Sequence, residues 1–403
     1  MRLLFISHSL PPRGRPLDNV GGMQRVATKL HTALADHARR TPALHYDTLL
    51  LRSTWEQTHW RVPGFLLKAA ARLVDASLRR SVDVVLFSSM VTASLAVPLH
   101  ALLRRADIST AAIVHGRDVT LPVGPYQWFV PHVFGALDAV LPVSRATGAA
   151  CLQRGLAPEK VQVVPNGIDL SRFPEPEAPA TLRARLKTHL DAPGHPLPDD
   201  ALLLCSVGRH VTRKGFDWFV AHVMPRLPDT VHYWIAGDGP ETDAIRSAIQ
   251  ATDLHPRVQL LGRISDDNLA RLYSGADLFI MPNVPVPGDM EGFGIVMLEA
   301  GLCGTPAIAA RLEGIQDVIT EGVNGHLVEP KQPEAFASHI RSYVAAPERL
   351  RRLSTRARQH TIETFGWNAI AQTYLQRLRH LHATGRPSER TAAPEWAAAA
   401  LST

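Results

Sequence analysis

Residues 289–306 (DMEGFGIVMLEAGLCGTP) hold the densest set of groups that could do chemistry. Glu291 ends a loop, Gly292 and Gly294 flank Phe293, and an apolar helix beginning near Ile295 carries Glu299 about two turns on. Glycines at a helix start let a ligand approach backbone amides that lack a partner within the helix, and the dipole favours negative charge there. A diphosphate is the natural guest. Glu291 precedes the helix and Glu299 lies within it, so they suit different parts of an extended ligand, each accepting hydrogen bonds from hydroxyls. The plain alternative is an acidic first turn that satisfies the dipole.

A second set lies at residues 207–215 (VGRHVTRKG), where a strand ends in Gly208, Arg209 follows and Lys214 comes five residues later. A guanidinium fork and an ammonium point charge on one strand-end loop can neutralise a diphosphate from two sides; a solvated basic turn is the alternative. This is not a P-loop, because Arg213 stands before the lysine and Gly215 after it. Residues 236–240 (AGDGP) place Gly237 and Gly239 around Asp238, a pattern shared by nucleotide sites and ordinary turns. No complete Gly-x-Gly-x-x-Gly follows a strand, which counts against a dinucleotide oxidoreductase.

In the first half, Gly21 and Gly22 open a helix after a Pro- and Gly-containing loop, as either a phosphate cradle or a simple cap. His115 and Gly116 end a strand and precede Arg117 and Asp118. That would aim an imidazole into a binding cleft, although with 19 histidines in the chain a structural role is the default for any one of them. Residues 165–169 (PNGID) form a turn with an architectural default. No His-Glu-x-x-His helix, close cysteine pair or Gly-x-Ser-x-Gly is present, so neither a built-in catalytic metal nor the simplest serine hydrolase is expected.

These groups need elements to carry them. Short apolar runs alternate with helix-period stretches, the pattern of parallel βαβ units. Strands are expected at 2–7, 82–88, 110–115, 139–144 and 161–165, with a first helix at 21–35. After the Pro-rich run at 173–179 come strands at 202–207, 232–236, 258–261, 278–281 and 306–309. The fold class is therefore α/β, two Rossmann-like doubly wound domains facing across a cleft, since such sheets bind ligands at their carboxyl edges. The expected division is 1–172 for the first domain, 173–200 for a linker and the start of the second, and 201–366 for the second. A helix at 367–383 would pack back toward the first domain, and 384–403 would form a mobile tail.

Composition bounds the remainder. The 403 residues are 45% hydrophobic and 20% charged, which excludes disorder over most of the chain and predicts two to three domains. Nothing approaches a membrane-spanning stretch or a recognisable secretory signal. Three widely spaced cysteines fit a reduced cytoplasmic protein. The net charge of +6 favours anionic partners, yet no basic stripe with interleaved aromatics supports nucleic acid. Residues 60–80 read as a basic amphipathic helix, with Leu66, Leu67, Ala70, Leu73, Val74 and Leu78 on one side and Lys68, Arg72, Arg79 and Arg80 largely opposite, next to Trp55, Trp60 and Phe65. Packing on the core is the favoured reading; contact with an anionic membrane is the alternative.

Taken together and in this order, the motifs resemble the GT4-type family of retaining, nucleotide-sugar-dependent glycosyltransferases with the GT-B fold, over about residues 1–383. The resemblance implies transfer of a hexosyl unit from a UDP- or GDP-sugar to a hydroxyl acceptor (lipid-linked, saccharide or small molecule) with no cofactor and no required metal. Arg209 and Lys214 would hold the donor diphosphate, Glu299 the ribose, and Glu291 with the 292–294 amides the transferred sugar and phosphates. Phe293 and Ile295 would adjoin the donor, Gly22 would approach the diphosphate, and His115 would lie near the sugar. Gly21, Ser144, Asn166, Gly237 and Asp238 would be secondary. Two departures bear on donor identity: the long stretch 282–290 before Glu291, and Glu313-Gly314 where the family commonly has Gly-Gly. A nucleotide-sugar epimerase of the same fold and a non-catalytic sugar-nucleotide binder are the competing readings.

Overall fold

The computed structural model describes residues 1–12, 22–173, 179–190, 197–384 and 396–397. The chain divides into two compact units, Met1–Gly167 with the chain from Trp367 onward, and Ile168–Gly366.

The first unit is built on a parallel sheet of β1 (Arg2–Leu10), β2 (His45–Arg52), β3 (Val84–Phe87), β4 (Ser109–Val114) and β5 (Ala139–Pro142), in the order β2-β1-β3-β4-β5. Its central strands are apolar runs because both faces are covered. Phe65, Ala69 and Leu73 of helix Trp55–Arg79 pack on one face with Leu103 of Ala96–Arg105 and with Val130, Val133 and Phe134 of Gly124–Ala136. Helices Gly22–Arg40 and Trp367–Thr384 cover the other, through Ala27, Leu30, Ile370, Tyr374 and Leu378.

Several expectations change here. The edge strand β2 lies outside the expected strands, because its residues are mostly half-buried and its apolar run is only Leu49 to Leu51, preceded by His45, Asp47 and Thr48. Residues 161–165 form no strand: Val161 makes one isolated bridge to Val140, and Pro165 has no N–H to continue the ladder. The first unit closes at Gly167 rather than at 172, because Ile168 bridges Gly366 and donates its N–H to the Phe365 carbonyl at 2.7 Å. Of the stretch 173–200, expected as a linker and the start of the second domain, helix Pro179–Leu190 packs on helix Asp266–Gly275, where a Cβ at Gly275 would lie 2.6 Å from Leu186. Of the tail expected to be mobile, Trp396 and Ala397 form a helical turn packed into the first unit's core; its other residues beyond Thr384 lie outside the described ones.

The second unit has six parallel strands in the order β11-β10-β9-β6-β7-β8: β6 (Leu202–Val207), β7 (Val231–Ala236), β8 (Val258–Gly262), β9 (Leu278–Met281), β10 (Ala307–Ala310) and β11 (Gly325–Val328). The winding reverses between β6 and β9, so the loops that follow those two strands flank a topological switch point. That is where open α/β sheets bind ligands.

Candidate functional site

The loop after β6 turns inward at a 3₁₀ turn, Thr212–Lys214, and buries the lysine. Gly215 ends this turn with φ +62°, and a Cβ there would meet the Pro282 carbonyl oxygen at 2.4 Å. The loop after β9 is thus laid directly on the loop after β6, fixed by Val284 N–H donating to the Arg213 carbonyl at 2.9 Å. Lys214 Nζ donates to Glu291 Oε2 at 2.6 Å, and Asn283 Nδ2 reaches the same oxygen at 3.4 Å. Arg213 lies 3.4 Å from it and bonds Asp289 at 3.2 Å. Burial pushes the Glu291 carboxyl up, but the Lys214 ammonium, helped by Arg213 and Asn283, more than offsets this and holds it below the usual carboxylate range.

Glu313 completes the cluster. Its backbone is left-handed at φ +46°, and its carboxylate accepts the Glu291 N–H. Burial is the first cause that raises the Glu313 carboxyl, and the Glu291 charge adds to it. A Cβ at Gly314 would come 2.1 Å from the Gly292 carbonyl oxygen, so this turn presses backbone to backbone on the 291–293 loop. Gly292 itself borders open space. Arg209 is exposed and has no ion pair among the described residues, which leaves its guanidinium available.

Gly237 and Asp238 hold this architecture in place. The Asp238 carbonyl accepts the His210 N–H at 3.0 Å, and a Cβ at Gly237 would lie 1.9 Å from the Gly208 carbonyl oxygen. His210 was not singled out from sequence, although it stands between Arg209 and Lys214. It is buried, Nδ1 meets Thr242 Oγ1 at 2.9 Å, and Nε2 has no partner. Burial pushes its imidazole below the usual range, with the Asp238 charge opposing it. The orphaned His210 Nε2 and Asn283 Oδ1 are buried polar atoms suited to a ligand or water.

Two residues given donor roles by the resemblance are also engaged within the second unit itself. Phe293 is buried in the second unit's core, its ring 6.4 Å from Phe365, because Gly294 at φ +71° turns the chain into helix Ile295–Leu302. Glu299 is only 6% exposed at its side chain: Arg172 bonds Oε1, and Tyr273 donates its hydroxyl to Oε2 at 3.0 Å. Arg172 lies 127 positions away in sequence, and no local signal marked it. Ile295 remains exposed at the helix start.

In the first unit, Gly22 opens helix Gly22–Arg40, while Gly21 lies outside the described residues. His115 directly follows β4, its imidazole Nε2 meets the Ser88 carbonyl at 3.2 Å, and its backbone N–H donates to Asp118 Oδ1 at 2.8 Å. Burial lowers the His115 imidazole and raises the Asp118 carboxyl, whose Oδ2 is an orphan. At the neighbouring strand ends, His8 Nδ1 meets Ser89 Oγ at 3.3 Å, with the imidazole pushed down to about 4 by burial. Ser144 is a helix cap, its hydroxyl accepting the Thr147 N–H at 3.0 Å, and Asn166 Oδ1 is buried without a partner. Among the described residues no cluster of His, Cys, Asp and Glu could hold a metal ion, and no helix is long and apolar enough to cross a membrane.

Known proteins carry the same two-part organisation. Residues 20–172 match the family described as Glycosyltransferase Family 4 and residues 189–360 the one described as Glycosyl transferases group 1. A D-inositol 3-phosphate glycosyltransferase of Streptomyces bingchenggensis is 31% identical over 305 residues, 70% of this chain and 62% of that enzyme. The chain thus spans about three fifths of that relative's length. A GDP-mannose-dependent alpha-(1-6)-phosphatidylinositol monomannoside mannosyltransferase of Mycolicibacterium smegmatis is 26% identical over 384 residues, 91% of this chain and 95% of that enzyme. Among solved structures, HepE from Anabaena in complex with UDP superposes with a TM-score of 0.63 at 19% identity, covering 94% of this chain and all of that one. Each of the two parallel-sheet units therefore carries its own half of the match, and the chain belongs to the group 1, family 4 glycosyltransferases with the GT-B fold.

Proposed function

We propose that this chain transfers a hexosyl unit from a nucleoside-diphosphate sugar to a hydroxyl acceptor with retention of configuration and without a required metal. The observation that carries the reading is the buried Lys214–Glu291 pair at the β6/β9 switch point, with Arg209 exposed on the same loop as Lys214 and open space at Gly292. An ammonium has three donors; one is committed to Glu291, which leaves the others for phosphate oxygens. Departure of the nucleoside diphosphate places negative charge on its terminal phosphate. A lysine already fixed and charged stabilises that charge with little reorganisation, and Arg209 adds a planar fork. Glu291 orients Lys214 through their hydrogen bond and offers its other oxygen to a sugar hydroxyl. The relatives' names, one GDP-mannose-dependent, and the UDP bound to HepE support a nucleotide sugar as donor.

The proposed place of action is the cytoplasm, with peripheral contact at the inner face of the cell membrane. Three buried, unpaired cysteines, Cys151, Cys205 and Cys303, support a reducing compartment. The test is to incubate the protein with UDP- and GDP-sugars, with and without hydroxyl acceptors, in the presence of a chelator. Acceptor-dependent release of UDP or GDP supports the reading. Sugar conversion without an acceptor identifies an epimerase instead, and activity that needs an added divalent cation removes the metal-independent part.

A further inference from the structure

Helix Trp55–Arg79 of the first unit has two apolar faces. Phe65, Ala69, Leu73 and Ala76 form the inner one and are buried in the core. At roughly 100° per residue, Trp60, Leu67 and Leu78 fall within about 20° of one another on the opposite side. They are 89%, 75% and 75% exposed. The expected core packing of this helix holds for Phe65 and Leu73, which point inward, but Leu66, Leu67, Ala70, Leu73, Val74 and Leu78 do not share one side, since Leu67 and Leu78 lie outside. A core-packed helix needs only the inner face, so packing leaves the outer stripe unexplained.

The stripe has a consistent electrostatic setting. Arg61 and Lys68 are exposed on the same helix, Arg80 follows it, and Arg104 and Arg105 end the neighbouring helix Ala96–Arg105; none has an acidic partner among the described residues. Arg72 and Arg79 are answered by Asp47 and Asp75. Helix Gly124–Ala136 covers the same face of the sheet and leaves Trp128 70% exposed. The layer thus offers two exposed tryptophans and an aliphatic ridge among uncompensated cations.

We propose that the outer face of this helical layer, with Trp60, Leu67 and Leu78 as its inserting ridge and Arg61, Lys68 and Arg80 as its charged flank, docks on an anionic lipid surface. Charge complementarity selects that occupant: a second copy would bring like charges together, whereas an anionic bilayer attracts each basic group and takes up the apolar ridge. This deepens the peripheral contact proposed above and is independent of donor chemistry.

The test centrifuges the full chain with phosphatidylcholine vesicles, with or without phosphatidylglycerol, at low salt. We expect pelleting with the phosphatidylglycerol vesicles alone, and at least a tenfold weaker partition for the double variant Trp60→Ser, Leu67→Ser. Because both side chains are exposed, its Tm and its stabilisation by UDP or GDP should match the wild type. Arg61→Glu with Lys68→Glu should also abolish pelleting. Wild-type protein that stays in the supernatant with both vesicles, or a Trp60/Leu67 variant that pellets equally well, overturns the proposal. Self-association lost in that variant, with no vesicle binding, assigns the face to a second copy and overturns it too.

Discussion

Lys214 and Glu291, 77 positions apart, meet at 2.6 Å with both side chains about nine-tenths buried. Such a pair is a pre-formed site rather than a stability device, because removing either partner strands a buried charge at a cost of about 3–5 kcal/mol. Lys214→Ala is therefore expected to lower turnover at least tenfold and also to lower Tm. Adding Glu291→Gln should recover much of the Tm and none of the turnover. Calorimetry and steady-state kinetics on the two single variants and the double variant separate these effects. Wild-type turnover in Lys214→Ala removes the lysine from the site.

Glu313 and Glu291 make opposite contributions to the pH dependence of stability. Glu291 is held below its ordinary range, so its contribution is present above the unfolded value near ~4.3 and is lost as pH falls through the lowered folded value. Glu313 is raised by burial and by the Glu291 charge, so ionising it costs stability once pH climbs past ~4.3 and on through its raised folded value. Glu313→Gln keeps an acceptor for the Glu291 N–H and removes the charge. Its Tm should exceed wild type at pH 7, with the gap closing below about pH 4. An unchanged gap across that range would show that charge is not the cause.

Both of these relationships lay beyond what the sequence makes legible, and the reason is physical. Strand runs such as 202–207 and 278–281 announce themselves because both faces are largely buried and the residues are apolar but for Ser206. β2 does not, since it lies at an edge and is mostly half-buried, and β11 is four residues beginning with glycine. The motifs named Lys214, Glu291 and Glu299 by type and spacing. Their partners come from segments distant in sequence: Glu313 on the Glu291 N–H, Arg172 and Tyr273 on Glu299. Periodicity reports which way a side chain faces, not which remote loop it meets.

The Arg172–Glu299 contact makes the ribose assignment testable. Glu299 is engaged at both oxygens, so it either shares them with a ligand or supports the core. Glu299→Gln keeps the shape and loses the charge that orders Arg172. If the carboxylate also takes ribose hydroxyls, the donor KM should rise roughly tenfold, equivalent to about 1.4 kcal/mol, with kcat changed much less. A fall in Tm with an unchanged KM would make Glu299 a core support. Titrating the donor at saturating acceptor reads the difference.

The last prediction concerns the backbone that brings the two loops together. Gly215 carries φ +62° and has the Pro282 carbonyl oxygen 2.4 Å from where a Cβ would stand. Alanine meets two penalties at once: about 1–2 kcal/mol for the left-handed backbone, and a clash with a carbonyl that cannot swing aside like a side chain. The relief available is to move the 282–284 stretch outward, which breaks the Val284 bond to the Arg213 carbonyl and draws Glu291 away from Lys214. Gly215→Ala should thus lower Tm by several degrees and lower turnover about as far as Lys214→Ala does, although residue 215 contributes no functional group. Ala at Gly292, which borders open space, is the matched control: it should leave Tm within about a degree and affect donor KM alone, because its Cβ would project into the space the ligand needs. Equal stability losses in the two variants would show that the close approach at Gly215 does not hold the site together.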